Sequence, residues 1–136
     1  MTPVAPAERF GHTSIEDLAV SAARAADDKK ALDVLVLEVG AVLAITDYFV
    51  IASGKNPRQV KAIVDEVERV LSERYGAKPR SVEGRDARRW VLMDYGDFLV
   101  HVFQVDERQY YSLERLYSDV PVIGWRQGDS LGVSGS

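Results

Sequence analysis

The chain contains no cysteine. That removes a disulfide framework, a thiolate nucleophile and any cysteine-ligated zinc site, and it suits a reducing cytosol. Histidine is nearly as scarce. The two that occur, His12 and His101, are far apart and lack the H-x-x-x-H or H-E-x-x-H spacing of helical metal sites. No apolar run approaches the ~18 residues that a membrane span needs. The first residues, "MTPVAPAERFGH", carry neither the basic nor the apolar stretch of a secretory leader. Internal repeats are missing. So is a G-x-S-x-G nucleophile turn: Ser53 precedes Gly54 in "IASGKN" with no histidine in a relay position. The same stretch lacks the upstream glycine, and the hydroxyl residue after lysine, of a phosphate loop. It is read as a strand-to-helix turn, whose helix N-terminus retains some attraction for an anion.

What the 136 residues do contain is ordinary for a folded domain: 46% hydrophobic and 28% charged, enough to bury a core. The net charge is -4, from 17 basic and 21 acidic residues. A protein that grips nucleic acid through phosphates is basic on its binding face, so the overall balance favours a basic partner instead. The charge is unevenly spread. Residues 78–89, "KPRSVEGRDARR", hold five basic and two acidic groups, whereas residues 94–119 hold six acidic and two basic.

Along the chain, residues 1–12 read as a flexible N-terminal arm. Thr13 with Glu16 fits a capping box, and Ile15, Leu18, Ala19, Ala22 and Ala26 then share a helical face. Residues 31–39 and 46–53 read as strands, the second apolar on both faces, as in a sheet covered on both sides. Asn56 as N-cap, Pro57 at the first helical position and Gly76 as terminator bracket a helix whose core stripe is Val60, Ile63, Val64, Val67 and Leu71. Residues 79–83 fit a short edge strand. A hairpin follows, 89–94 and 98–104, turning where Gly96 supplies a positive φ. Asp106 with Gln109 opens a short helix reaching Tyr117. From Gly124 the Gly/Ser-rich residues 124–136 read as a flexible C-terminal tail. The order α-β-β-α-β-β-β-α gives an α/β domain with a mixed sheet and helices on both faces.

Trp90, Tyr95, Tyr110, Tyr111 and Tyr117 are interleaved with Asp94, Asp97, Glu107 and Glu114. Aromatic anchors bury much area with few rotors and recur at protein interfaces. Core packing is the competing reading of the same side chains. Asp94 and Asp97 flank a turn, where aspartate usually bonds its own backbone. His101, between Leu99 and Phe103 on a strand, reads as a hydrogen-bonded structural histidine.

Three stretches in order, "ITDYFVIASGKNPRQV" (45–60), "EGRDARRWVLMDYGDFLVHVF" (83–103) and "ERQYYSLERLY" (107–117), together resemble the ribosome silencing factor, or iojap-like, family over residues 14–123, giving a domain at 13–123. The resemblance implies an α/β fold with a mixed β-sheet of about five strands and helices packed on it, similar in topology to nucleotidyltransferases but without their catalytic aspartates. It implies no enzymatic activity and no cofactor. It implies binding to ribosomal protein L-fourteen on the large subunit, a block to small-subunit joining, and translation repression when nutrients are scarce, in the cytoplasm. Homodimerisation off the ribosome is implied as well. Carried over motif by motif, the partner-binding residues are Asp47 and Tyr48, then Trp90, Asp94, Tyr95 and His101, then Tyr111, Glu114 and Tyr117. The family often has tryptophan where this chain has Tyr117. Arg85, Arg88 and Arg89 are expected to touch ribosomal RNA at the periphery. Two alternatives stand beside this: a metal-dependent nucleotidyltransferase-like enzyme using Asp94 and Asp97, and a homodimeric scaffold.

Overall fold

The computed structural model describes residues 14–126, so the expected arm over 1–12, Thr13 and the last ten residues of the expected tail lie outside the described residues. The first helix, α1 (Ile15–Asp28), is capped one residue later than its sequence suggests. Ser14 Oγ accepts from the Asp17 N–H, and the Asp17 carboxylate accepts from the Ser14 N–H in return. Ser14 takes the N-cap because Asp17 then falls at the third helical position, where a carboxylate reaches back to the cap.

Strands β1 (Leu32–Glu38) and β2 (Tyr48–Gly54) follow, and then the long helix α2 (Pro57–Tyr75). Its ends are those the sequence specifies: Asn56 Oδ1 accepts from the Gln59 N–H at 2.8 Å, and Gly76 closes the helix at φ 66°. Strands β3 (Ser81–Glu83), β4 (Trp90–Asp94) and β5 (Phe98–Gln104) complete one sheet of order β1-β2-β5-β4-β3. Only the β2–β5 pair is parallel; the others are antiparallel. The sheet is therefore mixed, with β2 and β5 at its centre.

Expected as one helix from Asp106 to Tyr117, the next stretch forms two: α3 (Val105–Tyr111) and α4 (Leu113–Leu116). Ser112 between them has φ 47° and ψ 52°, a left-handed conformation that ends one helix and redirects the chain.

Alternation along the strands divides the core. Val50, Ala52, Val91, Met93, Phe98, Val100 and Val102 face α1 and α2 and join their buried stripes. Leu37, Phe49, Ile51 and Phe103 face the other way, where Leu113, Tyr117 and Val120 cover them. Both faces of the central pair are thus closed, one by two long helices and the other by a thin layer of short ones.

The chain then returns to the β1 edge. Val122 bridges Leu37, and the Glu38 and Val36 backbone groups bond Pro121 and Ile123. Trp125, expected in the tail from Gly124, is instead 4% exposed in the helix-side core. Its Nε1 donates to the Val34 carbonyl at 2.9 Å, and its own carbonyl accepts from Arg24 Nε at 2.6 Å. The glycines around it suggest a tail, but composition records neither ring burial nor an edge strand waiting to be paired.

Trp125→Ala should cost about 3–5 kcal/mol of stability, the usual range for truncating a buried large aromatic, read from the midpoint of urea denaturation. Trp125→Phe, which loses the Val34 hydrogen bond but keeps most of the volume, should cost about 1 kcal/mol for the bond.

Candidate functional site

The side of the sheet under the thinner layer gathers Trp90, Phe49, Phe103 and Tyr117. Trp90 and Phe103 are register partners across β4 and β5, and their rings stack with centroids 4.8 Å apart. Gly84, at φ 89°, lets the β3–β4 connection pass against Trp90; a Cβ there would collide with the Trp90 carbonyl oxygen. From α3, Tyr111 comes to 4.6 Å of the indole centroid, and Tyr110 stands edge-on to Tyr111 at 5.0 Å. Exposure rises outward along this row: Tyr111 is 43% exposed and Tyr110 82%. A second row lies beneath, with Phe49 flanked by His101 at 4.6 Å and by Tyr117 at 5.2 Å, both edge-to-face. Edge-to-face contacts place the positive rim of one ring on the negative face of another.

His101 is buried and presents nothing to solvent. Its Nδ1 accepts from Trp90 Nε1 at 3.2 Å, which fixes the neutral tautomer with its proton on Nε2. Nε2 has no hydrogen-bond partner among the described residues. Burial lowers the imidazole pKa from 6.5 to about 4, so at neutral pH the ring is an uncharged acceptor that orients Trp90. This is the structural role its strand position suggests.

The other expected site residues separate. Asp94 and Leu92 share the Trp90 side of β4 by alternation. Asp94 Oδ1 accepts from the Gly96 N–H at 2.8 Å, and its other oxygen lies 3.3 Å from Arg80. Its carboxylate forms the hairpin turn, as its position in the sequence suggests. Glu114 sits beside the aromatic layer, bound to Arg108. Tyr48 and Tyr95 lie on the helix side of the sheet, away from Trp90. The Tyr48 hydroxyl donates to Glu16 at 3.3 Å, and burial with the adjacent Glu16 pushes its pKa up to about 12. Tyr95 stacks on Phe98 at 4.8 Å, and burial raises its pKa as well. Asp47 is exposed at the start of β2, where its N–H donates to the Asp97 carbonyl. Of the arginines expected to meet RNA, Arg85 pairs with Glu68 at 2.9 Å and Arg89 with Glu107 at 3.7 Å, while Arg88 Nε donates to the Arg85 carbonyl. Among the described residues no three His, Cys, Asp or Glu side chains gather as a metal site would require.

Arg108 was not among the sequence candidates, although it stands inside the quoted motif. It is 5% exposed. Nε reaches both Glu114 oxygens at 3.0 and 3.2 Å, Nη1 donates to Ser53 Oγ at 2.7 Å, and Nη2 donates to the Asp33 carbonyl at 2.7 Å. The six-residue spacing from Arg108 to Glu114 matches no helical pair. Only the turn at Ser112 closes it, so no helical spacing signals the pair. Asp33 adopts φ 50° at an irregularity in the β1–β2 register, and this bulge turns one carbonyl to Arg108 while the next, of Val34, meets Trp125 on the other side.

The result is an α/β domain with an outward-rising aromatic ridge, flanked by arginine–carboxylate pairs at Asp94, Glu107 and Glu114. A family profile described as "Ribosomal silencing factor during starvation" matches residues 12–133. The ribosomal silencing factor RsfS of Bacillus subtilis is 46% identical over 101 residues, covering 74% of this chain and 85% of that protein. The mouse protein named "Mitochondrial assembly of ribosomal large subunit protein 1" is 32% identical over 118 residues, covering 83% of this chain and 49% of its own length. A crystal structure of a Chromobacterium violaceum protein superposes with a TM-score of 0.74 at 32% identity, covering 78% of this chain and 88% of that one. The chain belongs to the ribosomal silencing factor family.

With a folded-state pKa near 4 and an unfolded value near 6.5, His101 binds its proton only on unfolding between those limits. Its contribution to stability is therefore intact above about pH 6.5 and declines as pH falls toward 4, by about 3 kcal/mol at ~1.4 kcal/mol per unit. His101→Gln should remove that part of the slope when urea midpoints are compared from pH 4 to 7.

Proposed function

We propose that the domain binds the large ribosomal subunit through ribosomal protein L-fourteen, occupies the face that the small subunit needs, and so represses translation in the cytoplasm under nutrient limitation. Membership of a family described by ribosomal silencing during starvation supports the class of action, and the name of the mouse relative points to the large subunit. The observation that carries the site is the ridge of Trp90, Tyr111 and Tyr110, three rings in contact that end in a tyrosine 82% exposed. A monomer gains little from leaving such a row in water, and Trp and Tyr are the residues that dominate interface energetics.

Asp106, Glu107 and Glu114 lie on the helices that carry the ridge; Glu107 and Glu114 are paired with Arg89 and Arg108, and Asp106 stands exposed. Ribosomal proteins are basic as a class, and opposite charge at the rim speeds encounter. Steric occlusion needs no catalytic group, and a standard interface of roughly 1,200–2,000 Å² is enough for a stable block. Asp94, Leu92 and Tyr117 extend the recognised area along the sheet and under α4, while His101 acts behind it by setting the Trp90 ring. Asp47 reaches the partner only at its margin, while Tyr48 and Tyr95, on the helix side of the sheet, support the fold behind the site. Arg85, Arg88 and Arg89 give a peripheral contact to ribosomal RNA in which phosphate competes with Glu68 and Glu107 for two of the three guanidinium groups. Off the ribosome the chain forms a homodimer, for which Val42, Ile45, Leu116 and Val122, each more than half exposed, supply apolar area.

Co-sedimentation with isolated large and small subunits tests this directly. The protein should pellet with large subunits only. Trp90→Ala and Tyr111→Ala should each weaken binding by about 2 kcal/mol, some thirty-fold, with circular dichroism unchanged; full binding by both folded variants would reject the ridge as the site. Light scattering over a dilution series should show a dimer that dissociates when large subunits are added, and a dimer persisting on the ribosome would reject a shared surface.

A further inference from the structure

We propose that Arg108 is the positioning residue of the recognition ridge, a role that rests on the reading of that ridge as the ribosome-binding surface. The helices α3 and α4 together carry Tyr110, Tyr111 and Leu116, with Tyr117 as the C-cap of α4, yet α3 has seven residues and α4 four. Neither is long enough to persist without tertiary support. Apolar cover on the sheet side comes mainly from Leu113, Tyr117 and Val120, all beyond the Ser112 turn, and α3 adds the half-exposed Tyr111 against Trp90 and Phe103. The α3 segment that bears Tyr110 and Tyr111 has a single buried residue, and that residue is Arg108.

Its guanidinium fork divides among three elements. One arm holds Ser53 on β2, a second holds the Asp33 carbonyl on β1, and Nε takes the Glu114 carboxylate of α4. Five donors in a rigid plane can serve diverging acceptors in this way, whereas an ammonium is a point charge with no fork. Glu114 is 37% exposed against 6% for the Arg108 side chain, so the buried charge is neutralised by a carboxylate at the water boundary. The strained Asp33 backbone and the left-handed Ser112 turn both serve the same cluster: one delivers a carbonyl to Arg108, the other swings Glu114 round to it. Arg108 itself contributes no exposed surface for a partner to touch. Its effect on recognition passes through the angle at which α3 offers the tyrosines next to Trp90.

Arg108→Met and Arg108→Lys, made in the full chain, test the assignment by amide hydrogen exchange together with large-subunit co-sedimentation. Arg108→Lys guards against the chance that the methionine variant does not fold. In both, amides of residues 105–117 should exchange at least tenfold faster while those of α2 keep wild-type rates, and affinity for large subunits should fall at least tenfold. Glu114→Gln, which keeps the shape and loses the charge, should fall between wild type and Arg108→Met in both readouts. Wild-type exchange over 105–117 in the folded variants overturns the proposal. So does acceleration spread evenly over α1, α2 and the sheet, which would make Arg108 a general stability residue. Should the wild-type protein fail to pellet with large subunits, the ribosome-binding reading falls, and the localised exchange still decides whether Arg108 sets the ridge.

Discussion

The rest of the molecule depends on the two-sided burial of the parallel β2–β5 pair. Every side chain of β2 after Tyr48 is buried, and β5 is nearly the same. A strand pair with no polar face cannot leave either side in water, so the fold requires two covers. The helices α1 and α2 supply the first by a conventional route: amphipathic stripes, well-capped ends and a stretch of alanines in α1 that brings its backbone close to the sheet. The second cover has to be made from little more than a dozen residues, and it is made from rings.

That difference in material explains where rings reach the surface. A thick helical layer hides its contacts within the core. A thin aromatic layer cannot, because a ring large enough to seal Phe103 or Phe49 from above also reaches the surface. Trp90 and Tyr111 therefore serve the core with one side and face outward with the other, and His101, held neutral by its burial, keeps the indole from turning away. The question posed by aromatic residues in the sequence, core or interface, has no exclusive answer for these two. Each packs on the core and keeps part of its ring open to solvent, as the intermediate burial of Trp90 and Tyr111's 43% exposure record.

Much of the scaffold could be read from local signals. Asn56, Pro57 and Gly76 bracket α2 because helix ends have specific chemical needs that few residues meet, and the hairpin around Gly96 is set by its turn. The capping box slipped by one residue because two hydroxyls, Thr13 and Ser14, each have an acid three positions on. The Ser112 break was hidden because serine is not a residue that announces a left-handed turn. Arg108 and Trp125 were missed for a shared reason: each is defined by a partner far along the chain, Ser53 and Asp33 for one, Val34 for the other, and no pattern of period 2 or 3.6 encodes such distances. The division of the site has a local cause instead. Tyr95 and Trp90 look like neighbours in the sequence, yet five residues is an odd step from the start of β4 to just past its end, so alternation carries Tyr95 to the opposite side of the sheet.

The return of the chain to the β1 edge at Pro121–Ile123 gives the aromatic layer an unusual mechanical setting. The α3–α4 segment leaves directly from β5 at one end and is stitched to β1 at the other, so both of its ends are anchored on the same sheet. Lifting it away opens a short closed loop instead of fraying a free end, and a loop with fixed ends gains little chain entropy when it detaches. The aromatic layer is in this sense assembled in advance. A partner that docked on it would leave little ordering to be done on contact, and its rate of capture would be governed by collision and charge more than by refolding of the binder.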